Sequence, residues 1–120
     1  MIIVIEDKKH FAKSLQQKLE RNWYEVKVYH STSEYIHEEA ELYIIDICLE
    51  VQSYALIRKI RHNTHAPIII FTAFNNNEYI KKALEAWWDV HEDKLVAPQV
   101  FLQKVKSLIL MYKRLKWQKW

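Results

Sequence analysis

The sequence predicts an α/β fold in which a five-stranded parallel sheet carries helices on both faces. Short apolar runs suited to buried strands alternate along the chain with stretches whose apolar residues recur at helical spacing. This β-α pattern repeats five times, which favours right-handed crossovers between parallel strands. In residues 41–50 the apolar run surrounds one carboxylate, Asp46. A charge is not left inside a buried strand without a partner, so we place Asp46 at the carboxyl end of its strand.

The predicted elements follow from these patterns in chain order. The strands are expected at residues 1–5, 24–29, 41–50, 67–72 and, as the weakest candidate, 88–91. The helices are expected at 10–21, at 33–39 after the capping hydroxyls of residues 31–33, and at 53–61 and 75–86, and a last helix begins at 98 and has a buried stripe that reaches 112.

Length and composition indicate one ordinary globular domain. The 120 residues suit a single core, which we assign to 1–112, with 113–120 as the end of the last helix or the start of a linker. The net charge of +3 is too small to indicate nucleic-acid binding. No apolar run reaches membrane-span length and no basic region precedes the first one, so we expect a cytoplasmic protein. The single cysteine, Cys48, excludes an internal disulfide and a cysteine-cluster metal site.

The chain contains no glycine. Globular domains use glycine wherever the backbone needs a positive φ angle. Such turns must therefore fall to asparagine, histidine or aspartate, or be strained.

Polar residues follow the apolar runs at the predicted strand ends. In the flavodoxin-like strand order 2-1-3-4-5, the carboxyl ends of strands one and three flank the point where ligands bind, which brings Glu6, Asp7 and Asp46 together. Three converging carboxylates repel one another unless a cation lies between them, and oxygen ligands suit Mg²⁺. The hydroxyl of Thr72 and the ammonium of Lys94 would complete a site for a phosphoryl group.

Several segments carry a resemblance that extends along the chain to about Met111. They are Ile3–Asp7, Leu42–Leu49, Pro67–Ala73, Ala83–Ala86 and the single residue Lys94. In this order they resemble a response-regulator receiver domain of a two-component system. The resemblance implies a signalling domain and not an enzyme.

The resemblance implies a role for each acidic residue. Asp46 would accept a phosphoryl group from a phosphohistidine on a sensor histidine kinase or a phosphotransfer protein. Asp7 and Asp46 would bind Mg²⁺ directly, Glu6 would act through water, and the backbone carbonyl of Cys48 would be a further ligand. The protein would then supply mainly positioning and charge neutralisation.

The resemblance also implies how the signal leaves the site. Thr72 would hydrogen-bond the phosphoryl oxygen, and Lys94 would pair with it. Phosphorylation would repack the face built from the helix at 75–86, the last strand and the last helix. That face would form a homodimer or contact an output domain, which points to transcriptional control with DNA bound only through that other domain.

Departures from the family pattern support a rival interpretation. Trp23 stands where the family has glycine after the first helix, Leu95 replaces the proline after the lysine, and His91 falls on the aromatic switch position. The rival is a pseudo-receiver, which uses the same fold for phosphorylation-independent binding or dimerisation. The complete set of acidic residues favours the phospho-acceptor. A flavodoxin-like cofactor binder is disfavoured because no phosphate-cradling loop is present.

Each site residue also has a plainer interpretation. Glu6 and Asp7 could form a solvated loop that favours the first helix dipole, Thr72 could simply end a strand, and Lys94 could pair with Asp93 on the surface. We favour the site because all these positions occur together. The basic aromatic tail at 113–120 is interpreted as a solvated helix end rather than a patch for a phosphate backbone. The histidines show no metal-ligand spacing; we interpret His91 as a partly exposed strand residue and the others as surface residues.

Overall fold

The protein forms a five-stranded parallel sheet with the strand order β2-β1-β3-β4-β5. The structure is a computed structural model that describes residues 1–35, 38–46, 51–72, 90–93 and 96–118. The strands are β1 (Ile2–Ile5), β2 (Val26–Tyr29), β3 (Leu42–Asp46), β4 (Ile68–Thr72) and β5 (Val90–Asp93), and the described helices are α1 (Lys9–Arg21), α2 (Val51–Asn63) and α3 (Pro98–Gln118). The predicted α/β fold with a parallel sheet in this order is confirmed.

Helices cover both faces of the sheet because neighbouring strand residues point to opposite sides. Ile2 and Val4 of β1 pack with the buried side chains of α1 and α3. Ile3 and Ile5 pack on the other face, with the buried side chains of α2. The near-continuous apolar sequence of β1 therefore reflects burial on both sides, as the sequence indicates.

The connection from β2 to β3 differs from the prediction. A helix was expected at 33–39, but residues 32–34 form a turn and residues 38–40 are not helical. The carbonyl of Glu38 instead accepts hydrogen bonds from the hydroxyls of Tyr43, at 2.7 Å, and Tyr35, at 3.4 Å. Burial raises the pKa of the Tyr43 hydroxyl above its ordinary value of 10, so the hydroxyl remains a donor in alkaline solution as well. These bonds from side-chain hydroxyls to the Glu38 carbonyl are found where the capping hydroxyls suggested helical backbone bonds.

Several element boundaries also differ by about two residues, and one predicted element is not described. Strand β2 begins at Val26 instead of 24, and helix α2 spans 51–63 instead of 53–61. Strand β5 begins at Val90, two residues later than expected, and its buried Glu92 forms an ion pair with Lys104 of α3. Helix α3 continues to Gln118 and so includes most of the segment 113–120, which was expected to be the end of the last helix or the start of a linker. No proline or glycine interrupts its interior, which favours an unbroken helix. The helix predicted at 75–86 lies outside the described residues.

None of the helices in the described part of the chain is long and apolar enough to span a membrane.

Trp23 takes the left-handed conformation that glycine usually takes at a helix end. Its φ angle is 70°, and it is the one non-glycine residue with positive φ among those described. The N–H of Trp23 donates to the carbonyl of Glu20 at 3.0 Å, and the N–H of Tyr24 donates to that of Leu19 at 3.2 Å. This pair of bonds is the Schellman motif, which satisfies the last carbonyls of α1. Of the two possibilities that the absence of glycine left open, a strained residue occurs here instead of asparagine, histidine or aspartate.

Replacing Trp23 with glycine should stabilise the fold. The Trp23 side chain is 95% exposed, so its removal sacrifices little packing, while loss of the Cβ atom relieves the left-handed strain. We expect Trp23→Gly to raise the free energy of unfolding by about 1 kcal/mol in urea titrations. Trp23→Ala keeps the Cβ atom and is the matched control. Equal stability of the glycine and alanine variants would contradict the assignment of strain.

Acidification should weaken the bonding at Glu38. Hydrogen bonds from the Lys27 ammonium and the Tyr29 hydroxyl to the Glu38 carboxylate hold its pKa below the ordinary value of 4.5. A lowered folded-state pKa gives stability that is present above about pH 4.5 and is lost as the pH falls through the lowered value. Glu38→Gln should therefore be less stable than wild type at pH 7, and the difference should shrink as the pH falls below about 4.5. A difference that is independent of pH throughout the acidic range would refute this assignment.

Candidate metal centre

Parallel pairing brings the ends of β1 and β3 to the same edge of the sheet. Ile5 of β1 is the register partner of Ile45 of β3. Glu6 follows Ile5 directly and Asp46 follows Ile45, so the two carboxylates leave adjacent strands at the same level. Asp7 is the next residue beyond Glu6. The predicted meeting of these three side chains therefore follows from one strand pairing.

The three carboxylates form a compact group. One oxygen from each of Glu6, Asp7 and Asp46 can be chosen so that all three lie within 4.8 Å of one another. Glu6 is only 3% exposed, Asp46 is half-buried and Asp7 is exposed. The group thus has a buried side and a side open to solvent.

The donor set fits a small divalent cation. Ligands of an octahedral Mg²⁺ lie about 3 Å apart when adjacent and about 4.2 Å apart when opposite. The three oxygens here lie within 4.8 Å of one another, a span that such a cation can bridge with a small adjustment of the side chains. All three donors are carboxylate oxygens, and a divalent charge between them would offset their mutual repulsion. The exposed side would leave coordination positions for water or for an oxygen of a substrate.

Aromatic packing supports the edge of the sheet that carries the group. Phe71 of β4 is the register partner of Asp46. Its ring packs edge-on against Phe11 of α1, with centroids 5.6 Å apart, and lies 4.8 Å from the ring of Phe101 of α3. Three elements are thereby fixed around the backbone that presents Asp46.

The structure describes only one of the three remaining predicted site residues, Thr72. Thr72 is the last residue of β4, directly after the partner of Asp46, and its own backbone partner is Asp93 at the end of β5. Lys94 is the next residue after Asp93, but it lies outside the described residues, as does Cys48. The roles of Thr72, Lys94 and Cys48 therefore stay predictions.

Sequence reasoning missed one residue that contacts the backbone of Glu6. His30, which we interpreted as a surface residue, follows β2 directly, and its Nδ1 atom lies 3.2 Å from the carbonyl oxygen of Glu6. The signal was available in the strand order, because β2 neighbours β1 and the residue after β2 must lie near the residue after β1.

The chain belongs to the response regulator receiver domain family. The sequence profile of this family matches residues 2–106. This agrees with the resemblance seen in the sequence and with the position of the acidic group at the carboxyl edge of a parallel sheet. No curated protein matches the chain by sequence.

Solved structures share the fold. The chain is similar to a CheY-like response regulator receiver domain protein from Methanospirillum hungatei, with 24% identity over 94% of this chain and 95% of that one and a TM-score of 0.85. It is also similar to the BeF3-activated N-terminal receiver domain of RstA from Klebsiella pneumoniae, with 20% identity over 90% and 97% of the two chains and a TM-score of 0.82. A receiver domain of a signal transduction histidine kinase from Syntrophus aciditrophicus has 24% identity over 94% and 92%, with a TM-score of 0.82. At these identities the likeness establishes the fold.

Mg²⁺ should stabilise the protein through the three carboxylates. At a concentration about ten times the dissociation constant, a ligand that binds only the folded state adds about 1.4 kcal/mol of stability. For a domain of this size we expect the melting temperature to rise by about 5 °C. Asp7→Asn and Asp46→Asn should remove most of this rise, as measured by thermal unfolding with and without MgCl₂.

Glu20→Gln is the matched control, because it removes one exposed carboxylate at the far end of α1. It should keep the full Mg²⁺ effect. A rise that persists in both aspartate variants would contradict the assignment of the metal centre.

Proposed function

We propose that the chain is a phospho-accepting receiver domain that depends on Mg²⁺ and takes its phosphoryl group on Asp46. The observation that carries this proposal is the meeting of Glu6, Asp7 and Asp46 at the carboxyl edge of the sheet in a member of the receiver family. The donor is a phosphohistidine on a sensor histidine kinase or on a phosphotransfer protein.

Asp46 is suited to be the nucleophile. It ends the central strand of the sheet, its backbone is fixed by pairing with Phe71, and its half-buried side chain remains reachable from solvent. A carboxylate oxygen of Asp46 attacks the phosphorus atom, the phosphorus–nitrogen bond of the phosphohistidine breaks, and its electron pair and a proton remain with the imidazole. The product is an acyl phosphate on Asp46.

The surrounding residues orient the phosphoryl group and balance its charge. Mg²⁺, when bound, neutralises the charge that develops on the phosphoryl oxygens. Asp7 and Asp46 hold it directly, and the buried Glu6 acts through water. Thr72 donates a hydrogen bond to a phosphoryl oxygen, and the ammonium of Lys94 pairs with the phosphoryl group. The backbone carbonyl of Cys48 is a further ligand to the metal ion.

Phosphorylation then acts on the face that includes β5 and α3. Thr72 and Asp93 are backbone partners, so a change at the end of β4 reaches β5 directly. The Glu92–Lys104 ion pair joins β5 to α3. A groove of about 600 Å³ runs along α3 on this side, lined by Gln99, Val100, Gln103, Lys104, Ser107 and Leu108. We assign this face to a homodimer contact or to an output domain that controls transcription.

The alternative is a pseudo-receiver that binds a partner or dimerises without phosphorylation. Trp23 adopts the left-handed conformation at a position where the family has glycine, so the fold tolerates this departure from the family pattern. A fold that tolerates tryptophan in place of glycine is compatible with both a phospho-accepting receiver and a pseudo-receiver. Phosphorylation is the property that separates them.

Incubation with acetyl phosphate and MgCl₂ should add one phosphoryl group to the protein. Transfer breaks the bond between phosphorus and the acetyl oxygen, and acetate leaves. We expect intact-protein mass spectrometry to show this gain, stable in acid and labile in base, and EDTA should abolish it.

Asp46→Asn should show no gain, whereas Glu20→Gln should behave as wild type. Asp7→Asn should be slowed strongly, because it keeps the nucleophile but loses a metal ligand. Absence of any gain in wild type, or a gain that survives in Asp46→Asn, would overturn the phospho-acceptor and favour the pseudo-receiver.

A further inference from the structure

The end of β2 binds both backbone groups of Glu6. The N–H of Glu6 donates to the carbonyl of Tyr29 at 2.9 Å. The carbonyl of Glu6 faces the imidazole of His30, with 3.2 Å between its oxygen and Nδ1. Two consecutive residues therefore contact the backbone of Glu6: Tyr29 through its main-chain carbonyl and His30 through its side chain.

The contact with the Glu6 carbonyl indicates that Nδ1 of His30 carries a proton. A carbonyl oxygen only accepts hydrogen bonds, so this contact is a hydrogen bond only when Nδ1 carries the proton. The half-buried ring then donates to Glu6 from Nδ1.

A short hydrogen-bonded turn presents the imidazole. The backbone N–H of His30 donates to the Glu34 carboxylate at 3.1 Å, and the N–H of Glu34 donates to the Ser31 hydroxyl at 3.3 Å. These bonds tie residues 30–34 together directly after β2. The imidazole is therefore held on a defined backbone, which makes it suitable for orienting another group.

The carbonyl that His30 contacts belongs to the peptide between Glu6 and Asp7. Rotation of this peptide would move the exposed Asp7 relative to the buried Glu6. It would therefore disturb the arrangement in which one oxygen from each lies within 4.8 Å of the other and of an Asp46 oxygen. We propose that His30 is a positioning residue for the metal centre, which orients the Glu6–Asp7 peptide by donating from Nδ1 to the Glu6 carbonyl. The proposal rests on the metal-binding part of the proposed function.

Two amide variants separate this role from simple filling of space. The amide nitrogen of asparagine reaches about the position of Nδ1, whereas that of glutamine reaches about the position of Nε2. His30→Asn therefore keeps the donor to the Glu6 carbonyl and His30→Gln loses it, although both retain a neutral polar side chain. Groups that orient metal ligands typically contribute roughly 10–100-fold to metal affinity.

The experiment measures Mg²⁺ affinity by calorimetry on the unphosphorylated chain. We expect His30→Gln and His30→Ala to weaken Mg²⁺ binding roughly tenfold, and His30→Asn to stay within about threefold of wild type. Equal affinity in all four proteins, or equal loss in the asparagine and glutamine variants, would overturn the positioning role.

A second measurement needs no metal ion. The backbone amide signal of Asp7 in ¹⁵N-resolved NMR spectra of the metal-free protein should shift in His30→Gln and stay near its wild-type position in His30→Asn. This pattern would support the hydrogen bond from His30 to the Glu6–Asp7 peptide even if the wild-type protein bound no Mg²⁺. Absence of Mg²⁺ binding would by itself refute the proposed function. An Asp7 amide that responds equally to both variants would overturn the inference while leaving the proposed function standing.

Discussion

The parallel pairing of β1 with β3 is the constraint on which the candidate site depends. It sets Ile5 beside Ile45, and the carboxylates that follow them therefore leave the sheet at one level. Both strands are buried on each face, so a shift of one residue would turn their charged ends into the core. Burial of the apolar runs thus fixes the register, and the register assembles the acidic group. The position of the acidic group at the carboxyl edge of the sheet is therefore a consequence of how the buried residues of β1 and β3 pack.

Because hydrophobic burial sets the strand register, much of the fold and of the acidic group could be predicted from the sequence. Four strands and three helices lie near their expected positions because each is an apolar run or a helical stripe, which are local patterns. The meeting of Glu6, Asp7 and Asp46 also followed, since it needs only strand ends and a strand order. Local information was sufficient wherever hydrophobic burial decided the structure.

The predictions that failed concern polar groups whose contacts form only when separate segments of the chain pack together. The capping hydroxyls of residues 31–33 suggested a helix, but the hydroxyl of Tyr43, on the next strand, takes the carbonyl of Glu38 instead. Strand β5 contains Glu92, whose partner Lys104 lies on another element, so its position did not show as an apolar run. His30 was missed for the same reason, because its contact with Glu6 exists only once β2 lies beside β1.

The left-handed turn at Trp23 has a consequence for the unfolded chain. Glycine is the residue with the greatest backbone freedom, and a chain that has none samples fewer conformations before it folds. The left-handed strain at Trp23 destabilises the folded state. The smaller loss of conformational entropy along all 120 residues offsets this destabilisation. The absence of glycine therefore strains this helix end and also lowers the conformational entropy of the unfolded chain, which favours the folded state.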